Sequence, residues 1–157
     1  MCGRFNSISS AKDFLKIFNA RLDGQELTPN HNVAPTALIY ALINTSLEVS
    51  GLEVARLEVF GQRVLTSLRW GLVPSWAKDK SKAAGMINAR AETLHQKPSF
   101  KNLLSQHRCV IPMQGFYEWS VVDGVGSRPS KQAHYISRTD GATMAVAGLW
   151  TSWRDPL

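Results

Sequence analysis

Cysteine is scarce in this sequence, with only Cys2 and Cys109, too few for a disulfide framework. Neither belongs to a Cys-x-x-Cys pair, and His31, His95, His107 and His134 show no metal-ligand spacing. No metal and no cofactor is therefore expected. No run approaches the ~20 apolar residues of a membrane span. The start, with its polar Asn6-Ser7, lacks the apolar core of a signal peptide. The expected location is cytoplasmic, or nucleoid-associated in a bacterium, with no membrane partner. Repeats, low-complexity tracts and linker-like Pro/Gly/Ser runs are absent too, so the 157 residues are expected to form one domain. A chain of this length buries about 70% of its unfolded surface and needs no staples.

Acidic residues are the scarcer charge. Twelve Asp+Glu stand against eighteen Lys+Arg, a net charge of +6 with a pI near 9.6. That balance suits a polyanionic partner such as nucleic acid, and it also suits a basic protein that binds none.

The apolar pattern starts helical. Ser9 and Ser10 offer an N-cap, Asp13 lies near the N-terminus, and Ala11, Phe14, Leu15 and Phe18 follow at helical spacing. Leu38-Ile39-Tyr40-Ala41-Leu42-Ile43 then reads as a buried strand. Strands are expected at 54–60 and 63–70, with Gly61-Gln62 as the turn, and Ser99 caps a short helix to about Gln106. The last third reads as an antiparallel meander over 108–112, 115–122, 132–138 and 143–150, with Asp123-Gly124 and Asp140-Gly141 as turns. The sum is a β-rich α+β domain: a curved, mainly antiparallel sheet with a few short helices.

Four places carry chemistry. A small residue at position 2 is the setting in which an initiator Met is removed, which leaves Cys2 with an α-amine and a thiol on adjacent carbons. That amine, with a reference pKa near 7.7–8.0, forms a Schiff base with an aldehyde, and the thiol closes a five-membered thiazolidine. The alternative for a lone cysteine is a small hydrophobe with no reactive role. Glu118 lies in Gly115-Phe116-Tyr117-Glu118-Trp119, where a carboxyl among aromatics suits proton transfer. Strand periodicity fits a solvent-facing Glu118 equally well. Asn88 and Arg90, on one face of an extended segment, offer an amide and a guanidinium for a sugar oxygen and a phosphate; on spacing alone, capping or loop satisfaction accounts for Asn88 as well. Trp76, beside Lys78, Lys80 and Lys82, is placed for base stacking, whereas Trp70 reads as core. His134 falls in an expected strand and reads as structural, although a Cys-His pair need not be close in sequence.

These pieces together resemble one family. Met1-Cys2-Gly3-Arg4-Phe5, Asn32-Val33-Ala34-Pro35, Trp70-Gly71-Leu72-Val73-Pro74, Ile87-Asn88-Ala89-Arg90-Ala91-Glu92-Thr93 and Gly115-Phe116-Tyr117-Glu118-Trp119 stand in the order of the SRAP (SOS-response-associated peptidase) domain, out to about Trp153. The resemblance implies covalent crosslinking to abasic sites in single-stranded DNA, with mature Cys2 forming a thiazolidine with the open-sugar aldehyde. It implies that Asn88 orients the sugar and that Glu118 is the acid/base near the Cys2 amine. Arg4 and Arg90 match phosphate-contacting positions, and Asn32, Pro35, Trp76 and Trp119 match the walls of the DNA groove. A thiol peptidase using Cys2 and a non-covalent single-strand or modified-base binder are the competing activities.

Two departures from the family pattern set further expectations. The family continues past Trp150 into more strands and a His-x-Arg-Met-Pro-like segment, whose His assists Schiff-base chemistry and crosslink reversal. None of the four histidines here sits in such a segment, so the chain reads as truncated, with slower chemistry. The strand at 143–150 is expected to be left as an apolar edge open to self-association. Retention of Met1 would make the Cys2 nitrogen an amide, which cannot form an imine.

Overall fold

The computed structural model describes residues 2–44, 63–81, 83–122 and 130–154. Its first element, β1 (Arg4–Ser7), has no counterpart in the sequence reading; four residues are too few for a periodicity to show. The helix α1 (Ala11–Phe18) follows, where the capping signals placed it. Ser10 Oγ accepts from the Asp13 amide at 3.2 Å, and the Asp13 carboxylate accepts from the Ser10 amide at 3.1 Å. This reciprocal box satisfies donors that the helix itself leaves open. Asn19, in the left-handed conformation (φ 47°), ends the helix. The short strands β2 (Ala20–Leu22) and β3 (Asn30–Val33) also escape the sequence pattern.

The apolar run becomes β4 (Leu38–Asn44), with five consecutive buried residues. Burial of both parities means that both faces are covered. Tyr40 and Leu42 meet Ala11, Phe14 and Leu65 on the α1 side. Ile39 joins Phe5, Val33, Trp70 and Met113 on the other, and Ala41 and Ile43 join Val64, Cys109 and Trp150. Phe14 is fully buried, a contribution of about 1.5–3 kcal/mol from that one side chain.

The remaining strands are β5 (Arg63–Arg69), β6 (Arg108–Met113), β7 (Gly115–Val122), β8 (Ser130–Ser137) and β9 (Met144–Leu149). The expected meander is split between two sheets. One has the order β3-β1-β7-β8 and is antiparallel throughout; the other has the order β2-β5-β4-β6-β9, with only β2 and β5 parallel. The chain changes sheets at Gln114, whose amide donates to Asn6 O at 3.0 Å and whose side chain holds Ile8 and Ser9. Among the described residues there are also two 3-10 turns, Ala83–Gly85 and Lys101–Leu103, the second standing where a helix from Ser99 was expected. The result is β-rich and mainly antiparallel with few short helices, as the sequence indicates. Among the described residues, β9 is an edge strand of its sheet. The expected strand at 54–60 and the turns Gly61-Gln62 and Asp123-Gly124 lie outside the described residues. No helix among the described residues is long and apolar enough to cross a membrane.

Candidate active site

The N-terminus is tied into the molecule by β1, which lies between β3 and β7. Phe5 faces Val33 and Phe116 across its two neighbours and meets Trp70 edge-on, with centroids 5.1 Å apart. With Phe5 only 2% exposed, the residues just before it have little freedom. Cys2 is half-buried and packs against the Phe5–Trp70 cluster, its thiol donating to Arg4 O at 3.2 Å. Burial pushes the thiol pKa above its ordinary value; a backbone hydrogen bond at Arg4 opposes this, and the negative charge of Glu118 adds to it. The register puts Glu118 nearby: Arg4 pairs with Tyr117, so Glu118, the next residue of β7, lies beside the N-terminal end of β1.

Asn88 reaches the same residue from a different part of the chain. Its side-chain amide donates to Cys2 O at 2.6 Å. The segment bearing Asn88 has little regular structure and is held by two bonds to the end of β5: Trp70 Nε1 donates to Ile87 O at 2.9 Å and the Leu72 amide to Met86 O at 3.0 Å. Gly71 permits this approach. Its φ is +122°, and an added Cβ would lie 2.6 Å from Ala83 O. Gly71→Ala is therefore expected to push the 83–88 segment off the β5 end and cost about 1–3 kcal/mol of stability. Thermal unfolding should reveal the loss, and NMR should show the Asn88 side-chain amide released from Cys2. An unchanged melting temperature would contradict this role.

Arg4 lies opposite Tyr117 and donates through Nη1 to Asn32 Oδ1 at 3.1 Å, so these two expected DNA contacts are joined. Pro35 sits in the turn after β3, where the Thr36 amide donates to Trp70 O and the Trp70 amide to Ala37 O. Arg90 is exposed, and its carbonyl accepts from the Thr93 and Leu94 amides. Trp76 is 70% exposed, and its neighbour Ala77 accepts at O from Trp153 Nε1 at 2.8 Å. Lys78 and Lys80 are exposed beside it; Lys82 lies outside the described residues. Period-two alternation puts Glu118 on the Phe116 face of β7 and Trp119 on the Tyr117 face. Cys2, Asn88 and Glu118 thus gather at one end of β1, while Arg4, Asn32 and Trp119 belong to the opposite face of the sheet.

Sequence reasoning missed the surroundings of Glu118. His134 stands directly opposite it on β8 and shares a 2.8 Å hydrogen bond between Nε2 and Ser120 Oγ. It missed, too, that Cys2 and Asn88 line a cavity of about 890 Å³ that runs past Cys109 to Trp150 and Trp153. Burial pushes the Cys109 thiol up to about 11, so it stays protonated and chemically quiet. Among the described residues no cluster of three or more His, Cys, Asp or Glu is arranged to hold a metal ion.

A family model described as SOS response associated peptidase (SRAP) matches residues 1–156. The chain is 39% identical over 158 residues to the abasic site processing protein YoqW of Bacillus subtilis (strain 168), covering 99% of this chain and 62% of that protein. It is 33% identical over 179 residues to the abasic site processing protein HMCES of Rattus norvegicus, covering 98% of this chain and 49% of that protein. Among solved structures, a phage-related protein from Bordetella bronchiseptica superimposes with a TM-score of 0.67 at 30% identity, over 94% of this chain and 60% of that one. A protein from Bacteroides thetaiotaomicron gives 0.69 at 22% identity, over 98% and 62%, a likeness of fold. The chain thus spans about 62% of the Bacillus relative's length.

Proposed function

The chain belongs to the SOS response associated peptidase family, and on that footing we propose that it forms a covalent adduct with abasic sites in single-stranded DNA through Cys2. The observation that carries the reading is the convergence on the Cys2 end of β1: Asn88 bonds the Cys2 carbonyl at 2.6 Å, and Glu118 follows Tyr117, the partner of Arg4, on β7. The names of the Bacillus and mammalian relatives supply the substrate.

The reaction begins once Met1 is removed and the Cys2 amine is free. The ammonium gives a proton to Glu118, and the amine nitrogen bonds to the aldehyde carbon of the opened sugar. Glu118 returns that proton to the departing hydroxyl, and water leaves an iminium. The sulfur then adds to the iminium carbon and its proton passes to Glu118 and on to solvent. One aldehyde and one aminothiol become one thiazolidine and one water, with the ammonium's extra proton released. Burial raises the thiol pKa, which disfavours the free thiolate that a peptidase nucleophile needs. Asn88 fixes Cys2 against the sugar; Arg4 and Arg90 meet phosphates, and Asn32, Pro35, Trp76 and Trp119 wall the groove.

The test is to incubate protein freed of Met1 with a single-stranded oligonucleotide bearing one abasic site, and with its intact counterpart. A denaturation-resistant adduct is expected only with the abasic strand, and none after its aldehyde is capped with an alkoxyamine. Equal yields on the intact strand would overturn the reading.

Reversible binding to single strands should weaken with salt at a slope of about −0.7 per neutralised phosphate. Trp76→Ala should cost about 1–3 kcal/mol if the exposed ring stacks on a base. An anisotropy titration at several salt concentrations checks both, and an affinity indifferent to salt and to Trp76 would contradict the groove assignment.

A further inference from the structure

The face of the four-stranded sheet away from Glu118 has its own pattern. Arg4 stands opposite Tyr117, Tyr117 opposite Tyr135, Trp119 opposite Ala133, and Val121 opposite Lys131. All share one side of the pleat, so two aromatic steps lie between a guanidinium at one end and an ammonium at the other. No Asp or Glu occupies any of these positions. Trp119 is 43% exposed and Tyr135 46%, a large apolar surface to leave in water without a use.

The two tyrosine rings are also fixed in place. Tyr117 donates its hydroxyl to His31 O at 3.0 Å and packs against Tyr135 with centroids 5.1 Å apart. The Tyr135 ring lies over Gly115, where a Cβ would come within 2.6 Å of it. Ala133, opposite Trp119, is too small to cover the indole. Successive positions on the face are about 7 Å apart, far enough for unstacked bases to seat one at a time. Preformed aromatic faces between cations on a rigid antiparallel sheet match what unpaired bases and their phosphates require.

We propose that the Tyr117–Tyr135–Trp119 face, with Arg4 and Lys131 at its ends, is a stacking ledge for unpaired nucleotides flanking the reactive sugar. The inference rests on the abasic-site reading and extends its DNA footprint beyond the Cys2 end of the sheet. Arg4 belongs to both, so a strand held at its phosphate continues onto the ledge. Double-stranded DNA, whose bases are stacked on one another, presents no faces to these rings.

The experiment measures anisotropy of an undamaged, labelled single-stranded oligonucleotide with the full chain, alongside adduct formation on the abasic strand. Tyr135→Ala is expected to weaken single-strand binding roughly tenfold, Lys131→Ala by less, and Tyr135→Phe hardly at all because the ring remains. Binding to a duplex of the same sequence should not respond to Tyr135→Ala, and adduct yield at saturating abasic strand should persist. Tyr135→Ala binding the single strand as well as the parent, or losing duplex affinity equally, would overturn the ledge. Loss in Tyr135→Phe equal to that in Tyr135→Ala would also overturn it, since the ring would not be the binding element. An adduct formed while single-strand binding ignores Tyr135 removes the ledge alone, whereas Tyr135-dependent binding without any adduct removes the crosslinking reading alone.

Discussion

Cys2→Ala is expected to abolish the denaturation-resistant DNA adduct while leaving reversible single-strand affinity nearly unchanged. Alanine keeps the α-amine, so an imine still forms and still hydrolyses, but no sulfur is present to close the ring. The phosphate contacts assigned to Arg4 and Arg90 and the stacking assigned to Trp76 involve other side chains. Borohydride should therefore trap the variant on abasic DNA, while omission of borohydride should leave no adduct. A stable adduct formed by Cys2→Ala without reductant would place the chemistry elsewhere.

Glu118→Gln carries the second large effect. The amide preserves the size of the side chain but can neither take the ammonium proton nor return it to the departing hydroxyl. One positioned acid–base group is typically worth about 10²–10⁴-fold, and single-turnover crosslinking should slow by that order. Affinity for undamaged DNA should hold, since Glu118 faces away from the Arg4 side of the sheet. A rate within a few-fold of the parent would remove Glu118 from the proton transfers.

Much of this arrangement was legible before any coordinates. The strand β4 announces itself because the run Leu38–Ile43 is continuously apolar, as a strand covered on both faces must be. Ser10 and Asp13 announce the helix start through the capping chemistry that they then adopt. The strand β1 was not legible. Its four residues owe their conformation to Val33 and Phe116 on either side, partners 28 and more residues away.

Cys2 and Asn88 could be named as chemically apt residues, but 86 positions separate them. What joins them is the conformation of Gly71 and two bonds made at Trp70 and Leu72. The Glu118–His134 pairing is a matter of register, which neither strand fixes on its own. A shift in register changes every cross-strand neighbour, so neither the Ser120–His134 bond nor the Tyr117–Tyr135 contact follows from local spacing. The two-sheet division was equally hidden, because the switch at Gln114 depends on its bonds to Asn6, Ile8 and Ser9.

The central claim is that the adduct joins DNA to both heteroatoms of Cys2. Its most direct test is proteolysis of the purified adduct, followed by labelling with a thiol alkylator and an amine reagent and mass analysis of the N-terminal peptide. The account predicts that this peptide carries the sugar remnant and that its Cys2 takes up neither label, because nitrogen and sulfur are both in the ring. A remnant found on another peptide, or an N-terminal adduct whose thiol still alkylates, would contradict it.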